Sequence, residues 1–368
     1  MAKITFNNRN PLFFQSVKKS VDDYFKKEKI KKTGDWRLYV KTLILMPTAL
    51  AIYVYLIFGK YGVASGILLA ALLGFTLVCV AFNVMHDACH GSFSGKKWVN
   101  EVMEFTMNAL GSTSYIWKIK HNIIHHTYTN IDGIDSDIAY SPLLRQCRTQ
   151  KWLPVHRFQY IYMFFLYAIS TLGWVLASDF VKYFSKRIHT TKINRISRKE
   201  HLVLWITKVV YAFFYIAVPV YFLGWQAWLT GFLVVHATMG LILSIVFQLA
   251  HVVEKTSFES APANPRGVET EWAVHEILTT SDFAAQNKLV CWLLGGLNFQ
   301  TEHHLFPQIS HVHYLALSRI VRQQCRQFGL PYHYYPTMGE AIRSHVRLMK
   351  ELGRGQSVHF HRPRPVET

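Results

Sequence analysis

Four long apolar runs limit how this chain can fold. They lie at about residues 42–59, 62–84, 203–223 and 228–250. About twenty apolar residues in helical form cross the hydrocarbon core of a bilayer, so each run predicts a transmembrane helix. Only Lys60 and Tyr61 separate the first two runs, and only residues 224–227 separate the last two. The pattern predicts two tight helical hairpins in an all-α integral membrane protein.

The composition agrees with a membrane protein and narrows its partners. Hydrophobic residues make up 51% of the chain, and the mean hydropathy is +0.12. In a soluble protein the net charge of +18 would suggest nucleic acid, but here Lys and Arg flank the apolar runs. This placement favours a membrane surface and no nucleic acid. The five scattered cysteines, none in a CxxC pair, predict reduced thiols rather than disulfides or a zinc ribbon.

Basic residues also predict the orientation of the spans. Residues 1–41 carry eleven Lys and Arg, whereas the loops inside the two hairpins carry only Lys60. By the positive-inside rule, both termini and the segment between the hairpins lie in the cytoplasm. Residues 1–39 are then a basic N-terminal arm, residues 40–335 the main domain, and residues 336–368 a basic tail.

Three tight histidine clusters lie outside the apolar runs. They are His86-x₃-His90, His121-x₃-His125-His126 and Gln300-x₂-His303-His304. Residues four apart share one face of a helix, so the first two clusters can aim neighbouring rings at one point. Neutral imidazole is the commonest metal ligand in proteins. A lone histidine is more often a core residue, but three clusters of this kind predict a metal site.

A single joint site requires every cluster to lie on one side of the membrane. His86 follows the second run and His251 follows the last one, so four spans satisfy this condition and five do not. We therefore expect the ambiguous stretch at 158–177 to be an interfacial helix or a re-entrant pair. The second and fourth spans then end at the site, where the negative ends of their helix dipoles favour a cation.

The remaining histidines are expected to have other roles. His236 lies about 22 Å of helix before His251, so we expect a structural role. For His275, His311 and His313 we favour a structural role over contact with the site. Surface positions are expected for His156, His189, His201, His333, His345, His359 and His361.

The three clusters, in this order and with four spans, resemble the membrane-bound fatty acid desaturases over residues 40–335. The motifs that carry the resemblance are His86-Asp-Ala-Cys-His90, His121-Asn-Ile-Ile-His125-His126 and Gln300-Thr-Glu-His303-His304. Gln300 in place of histidine, and three residues inside the first box, resemble the front-end, bacterial linoleoyl-CoA-type branch. That branch inserts a double bond between an existing one and the carboxyl end. It also implies a bacterial inner membrane.

The resemblance implies a cytoplasmic cap that holds two iron ions and uses O₂ as co-substrate. The spacing alone does not select the metal, because imidazole also suits zinc, copper and nickel. Eight ligands can be assigned, one fewer than where histidine replaces Gln300: His86, His90, His121, His125, His126, His251, His303 and His304. The amide of Gln300 is a poor iron ligand, and we expect it to bond a ligand or a metal-bound water.

Ligating rings need a partner on their second nitrogen. Nearby candidates, for each of which a solvated carboxylate is an equal alternative, are Asp87, Asp132, Asp135, Asp137, Glu254 and Glu302.

The implied activity is an O₂-dependent oxidoreductase that puts a cis double bond into an acyl-CoA or acyl-lipid. The chain has no His-Pro-Gly-Gly haem motif and no GxGxxG, so a separate ferredoxin or cytochrome b5 would supply electrons. An acyl or sphingolipid hydroxylase on the same fold is the alternative. A metal transporter or sensor is a weaker one, because it would need polar residues in mid-membrane on several spans.

Overall fold

The computed structural model describes residues 4–9, 11–139, 141–193, 195–261 and 268–355. The described chain is mostly helical. Its α-helices are α1 (Leu12–Glu28), α2 (Trp36–Phe58), α3 (Val63–Val80), α4 (His86–Cys89), α5 (Lys97–Glu104), α6 (Thr106–Ala109), α7 (Ser114–Lys118), α8 (Gln159–Ala168), α9 (Ser170–Gly173), α10 (Asp179–Ser185), α11 (Arg198–Ala212), α12 (Val218–Leu223), α13 (Trp225–His251), α14 (Trp272–Thr279), α15 (Lys288–Leu293), α16 (Gln300–Leu305), α17 (Tyr314–Gln327) and α18 (Met338–Gly353).

Irregular helices and short strands complete the chain. The π-helices are Ala81–Met85, Ile119–His125, Trp174–Ser178 and Phe213–Ala217, and the 3-10 helices are Pro154–Phe158 and His311–His313. Strands β1 (Ile131–Asp132) and β4 (Glu259–Ser260) pair in parallel, β2 (Arg187–Ile188) and β3 (Thr191–Lys192) antiparallel, and β5 (Asp282–Phe283) and β6 (Tyr334–Tyr335) in parallel.

Four helices among the described residues are long and apolar enough to cross a membrane: Trp36–Phe58, Val63–Cys89, Arg198–Leu223 and Trp225–His251. They form the two hairpins that the apolar runs predict, so the all-α membrane fold is confirmed. The first and third helices begin several residues before the apolar runs do. The side chain of Asp35 caps the first helix by accepting from the backbone N–H of Arg37. The side chain of Ser197 caps the third by accepting from the backbone N–H of Glu200.

The ambiguous fifth stretch is a bent pair of helices. The axes of segments Pro154–Ala168 and Ser170–Ser185 are bent by 58° relative to each other. Such a bend fits a re-entrant pair better than one straight interfacial helix, and its depth in a bilayer stays a prediction. The pair packs against α13.

Two glycines let α13 lie close to both of its neighbours. A Cβ at Gly74 of α3 would come within 2.6 Å of the carbonyl oxygen of Val235 on α13. A Cβ at Gly240 of α13 would come within 2.5 Å of the carbonyl oxygen of Ala168. Small residues permit such close packing of membrane helices. The second span and the bent pair are thereby held on two sides of α13, whose last residue is His251.

The basic tail is partly structured. The predicted tail, residues 336–368, includes α18, which packs on α8 and on the 3-10 helix Pro154–Phe158. His359 and His361 lie outside the described residues.

Candidate metal centre

All eight predicted ligands meet in one compact cluster. His86 and His90 come from the end of the second span, and His251 ends the fourth. His121, His125 and His126 come from the π-helix Ile119–His125 and the residue after it, and His303 and His304 from α16. All are buried except His90, which is partly exposed. The convergence of segments more than 200 residues apart is what the four-span topology predicts.

The second box differs from its predicted geometry. It lies in a π-helix, and the backbone N–H of His126 donates to the carbonyl oxygen of His121, five residues earlier, at 3.1 Å. The wider turn brings His121 and His126 together, with their Nε2 atoms 3.2 Å apart. The α-helical expectation for this box was therefore wrong. A π-turn places both members of the His125-His126 doublet beside the centre, and such turns recur at functional sites.

The ring nitrogens form two adjacent groups. His86, His90, His121 and His303 offer four nitrogens within 4.8 Å of one another, and His125, His251 and His304 offer three within the same limit. A third group overlaps these two: His121, His125 and Asp137 also offer one ligand atom each within 4.8 Å of one another.

His126 lies between the two groups. Its ring centre is 4.5 Å from that of His303 and 4.3 Å from that of His304, one residue from each group. A two-metal centre requires two adjacent sets of ligands, and these two sets have one histidine between them.

Unpaired nitrogens point to a ligand. The Nε2 atoms of His90, His125, His251, His303 and His304 are buried and lack a hydrogen-bond partner among the described residues. Buried polar atoms are normally hydrogen bonded, because an unmet donor or acceptor is destabilising. Five such atoms in one cluster of rings fit bound metal ions, which would accept their lone pairs.

Burial keeps most of these rings neutral. It lowers the pKa of His90, His121, His126, His303 and His304 well below the usual range, and neighbouring rings lower it further. A histidine must be neutral to bind a metal through its lone pair. His125 differs: burial alone would lower its pKa, but Asp135 and then Asp137 outweigh burial and raise it.

Four ligands are oriented through their second ring nitrogen. The Nδ1 atom of His125 is 3.1 Å from Asp135, that of His304 is 2.8 Å from Glu276, and that of His303 is 3.1 Å from the hydroxyl of Tyr314. The Nδ1 atom of His251 is 3.4 Å from the carbonyl oxygen of Thr279. Such partners fix the tautomer and direct Nε2 at the metal.

Most of the carboxylates proposed from sequence lie elsewhere. Asp135 fits its expected role, and Asp137 is 3.7 Å from His125. Asp87 contacts His311 and Ser310, Asp132 contacts Thr149, and Glu302 contacts Tyr332, while Glu254 is exposed.

Sequence reasoning missed Glu276 and Tyr314. The sequence gives little indication of Glu276, because it follows His275 on α14, far from any histidine box, and only folding brings it to His304.

Gln300 lies at the start of α16 beside the ligands. Its amide donates to the carbonyl oxygen of Leu297 at 2.8 Å, and its side chain also interacts with the ring of His251. This agrees with the expected role as a hydrogen-bond partner of a ligand.

The histidines left out of the site are held by other contacts. Both ring nitrogens of His236 are hydrogen bonded, to Thr171 at 3.0 Å and Tyr211 at 2.6 Å. His311 contacts Asp87 and Lys41, and His313 contacts the carbonyl oxygen of Thr33. His275 touches the site only indirectly, through the carbonyl oxygen of Thr129, whose hydroxyl lies 3.2 Å from His304.

Some surface assignments were wrong. His156 and His345 are buried, and His333 and His201 are partly buried, while His189 is exposed as expected. His345 bonds Tyr167 and the carbonyl oxygen of Val252, and His156 bonds the backbone of Leu153 and Pro142. The contacts of His345 hold α18 against the bent pair. This packing depends on tertiary structure and is not predicted by the local sequence.

A cavity of about 160 Å³ opens onto the centre. Its wall includes His86, His121 and Gln300, and its apolar part lies between the second span, the fourth span and the bent pair. Leu243, Phe247 and Phe82 line that part. The shape suits an alkyl chain lying beside the histidines.

Known proteins are similar to this chain in sequence over most of its length. The profile of the fatty acid desaturase family matches residues 61–336. The sn-1 linoleoyl-lipid 6-desaturase of Arthrospira platensis is 33% identical over 353 residues, which is 95% of each chain. The sn-1 linoleoyl-lipid 6-desaturase of Synechocystis sp. (strain ATCC 27184 / PCC 6803 / Kazusa) is 32% identical over 93% of this chain and 96% of its own. An acyl-lipid (8-3)-desaturase of Physcomitrium patens is 32% identical over 94% of this chain and 72% of its own.

Proposed function

Because this chain belongs to the fatty acid desaturase family, we propose that it inserts a cis double bond into an acyl chain held in a membrane lipid. The observation that carries the proposal is the eight-histidine centre, which opens onto an apolar cavity between the spans. A site that only stored or moved metal would not need a cavity for an alkyl chain.

The two groups of rings would hold the two irons. His86, His90, His121 and His303 suit one ion, and His125, His251 and His304 suit the other, with His126 between them. Bound irons would activate O₂ with two electrons from a carrier, so that two hydrogens of the substrate, two protons and O₂ leave as two waters. Asp135 and Glu276 keep their histidines in the tautomer that presents Nε2 to the metal.

Side chains of the cavity wall would position the acyl chain. Phe82, Leu243 and Phe247 exclude water and hold the chain in a restricted conformation, so that chosen methylenes lie beside His86 and His121. Gln300, on the same wall, would hydrogen bond a ligand ring or a water at the centre.

The substrate is proposed to be a linoleoyl lipid. Two of the relatives are named sn-1 linoleoyl-lipid 6-desaturases and a third is named an acyl-lipid desaturase. An acyl chain esterified in a membrane lipid, rather than a coenzyme A thioester, is therefore the preferred form. A new bond on the carboxyl side of an existing one places the lipid head near the irons.

Electrons are proposed to come from a separate acidic carrier, a ferredoxin or a cytochrome b5. The net charge of +18 favours encounter with such a carrier, since opposite charges speed association. The basic arm and tail also favour an orientation with both termini in the cytoplasm, at a bacterial inner membrane.

The test is to express the chain in a host whose lipids contain linoleate but no further unsaturated products. New double bonds are then located in intact lipids by mass spectrometry. A new bond between the carboxyl end and the first existing double bond is expected, and His304→Ala should abolish it with the protein still in the membrane. An added hydroxyl would assign the chain to hydroxylation instead, and unchanged lipids with an active carrier would refute the proposal.

A further inference from the structure

One lysine in the wall of the cavity has no close ion pair. Lys182 of α10 lines the same cavity as His86 and His121 and is partly buried. Among the described residues it forms neither a hydrogen bond nor a close ion pair, and Asp179 and Asp137 act on it electrostatically without contact while they pair with other lysines. A cation that is partly removed from bulk water without a close counter-ion is destabilising unless a ligand supplies the charge.

The neighbouring carboxylates are already taken. Asp137 pairs with Lys120 and lies 3.7 Å from His125. Asp179, one turn before Lys182, is fully buried. It accepts from Lys208 at 3.0 Å, from Ser112 at 2.8 Å and from the indole of Trp174 at 3.1 Å. This part of the cavity therefore holds one more positive charge than the described carboxylates neutralise.

Lys182 is also at one end of a regular stripe. Ser170, Trp174, Ser178 and Lys182 all line the cavity, four residues apart on the second half of the bent pair. The α-helical rise of 1.5 Å per residue sets an upper limit of about 18 Å on the length of the stripe, since residues 174–178 are π-helical. Its far end is Ser170, which lies 3.0 Å from Ser244 of the fourth span. One end of the cavity is thus cationic, and the other lies between helices at the level of the spans.

We propose that Lys182 is a specificity-determining residue that binds a phosphate oxygen of the acyl substrate and so selects a phosphate-bearing acyl lipid over an uncharged one. The inference rests on the proposed function, because it assumes that the cavity takes an acyl chain. A lysine ammonium is a point charge suited to phosphate. An uncharged glycolipid head would leave Lys182 unpaired. The phosphate belongs to a glycerophospholipid or to coenzyme A, and the two are distinguished by experiment.

The test uses the purified, iron-loaded full chain in lipid nanodiscs. Equilibrium binding and kcat/KM are measured for three linoleoyl compounds: a phosphatidylglycerol, the coenzyme A thioester and an uncharged galactolipid. The variants are Lys182→Gln, which removes the charge, and Lys182→Arg, which keeps it. Lys192→Gln, an exposed lysine of β3, is the matched control for a general change in surface charge.

Lys182→Gln is expected to weaken binding of a phosphate-bearing compound about tenfold or more and to leave the galactolipid unchanged. Lys182→Arg should restore most of the preference, and Lys192→Gln should not alter it. A loss confined to phosphatidylglycerol assigns the phosphate to the lipid, and a loss confined to the thioester assigns it to coenzyme A.

Equal binding of all three compounds by the wild type and Lys182→Gln would overturn the proposal, as would an equal loss in Lys192→Gln. Binding is measured without turnover, so absence of a new double bond would refute the enzymatic function and not the role of Lys182.

Discussion

The Oε2 atom of Glu276 lies 2.8 Å from Nδ1 of His304, and both side chains are fully buried. The hydroxyl of Thr129 donates to the same oxygen at 2.9 Å. Burial raises the pKa of Glu276 well above its usual range. The carboxylate is therefore favoured only when positive charge lies near, and a metal held by His304 supplies such charge. The ionisation of Glu276 is thereby coupled to the presence of a metal ion at the centre.

Glu276→Gln should weaken iron binding about 10- to 100-fold, because the amide cannot stabilise the same charge on His304. Iron retained during competition with a graded series of chelators measures the effect. Glu254→Gln is the matched control, since Glu254 is exposed and has no contact with a ligand ring. Equal iron retention in the wild type and Glu276→Gln would remove Glu276 from the centre.

Gln300→Ala should keep the full iron content and lower kcat about 10- to 100-fold. The side chain lies on the cavity wall and interacts with His251, and we expect its amide to donate a hydrogen bond rather than to bind iron. Iron analysis and steady-state turnover on the same preparation separate the two roles. Loss of iron along with activity would instead place Gln300 among the ligands.

His236→Phe should destabilise the protein and leave the iron in place. The hydroxyls of Tyr211 and Thr171 would lose their buried partner, which costs about 1–3 kcal/mol for each unsatisfied group. The thermal midpoint is expected to fall while iron per folded chain stays constant. A variant that folded normally but lost iron would show that excluding His236 from the site was wrong.

Ser244→Phe should shift the enzyme toward shorter acyl chains. Ser244 lies across from Ser170 at the end of the cavity remote from Lys182, and a phenyl ring there would occupy space that the terminal methylenes need. The ratio of kcat/KM for an 18-carbon chain to that for a 14-carbon chain should fall about tenfold or more. Ser244→Ala, which removes the hydroxyl without filling the cavity, should leave the ratio near that of the wild type.

Regular patterns in the sequence predicted the parts of the molecule that repeat. Four apolar runs predicted the spans, and the parity of those spans required the first box, the second box and His251 to lie on one side. In the structure the ring of His90 contacts that of His126, and the ring of His125 contacts that of His251. The helical rise between His236 and His251 excluded His236, which hydrogen bonds Tyr211 and Thr171 within the membrane helices.

Features that depend on tertiary contacts were not predictable. The π-turn through His121 and His126 follows no local sequence rule, because its wider turn is favoured only when it brings both rings to the centre. Glu276 reaches His304 from a helix that carries no box, and Asp87, next to His86, turns to His311 instead. His345 was expected at the surface, yet α18 buries it against Tyr167. Neighbours in sequence were thus poor guides to the partners of the rings.

The metal content of the purified wild-type chain, measured by mass spectrometry against protein concentration, tests the two-iron centre most directly. The two adjacent groups of histidines predict two irons per wild-type chain, and one iron when His125 and His304, which belong to the same group, are replaced together by alanine. A wild-type chain with a single iron, or with stoichiometric zinc and no iron in an active preparation, would show that the two groups do not hold two irons.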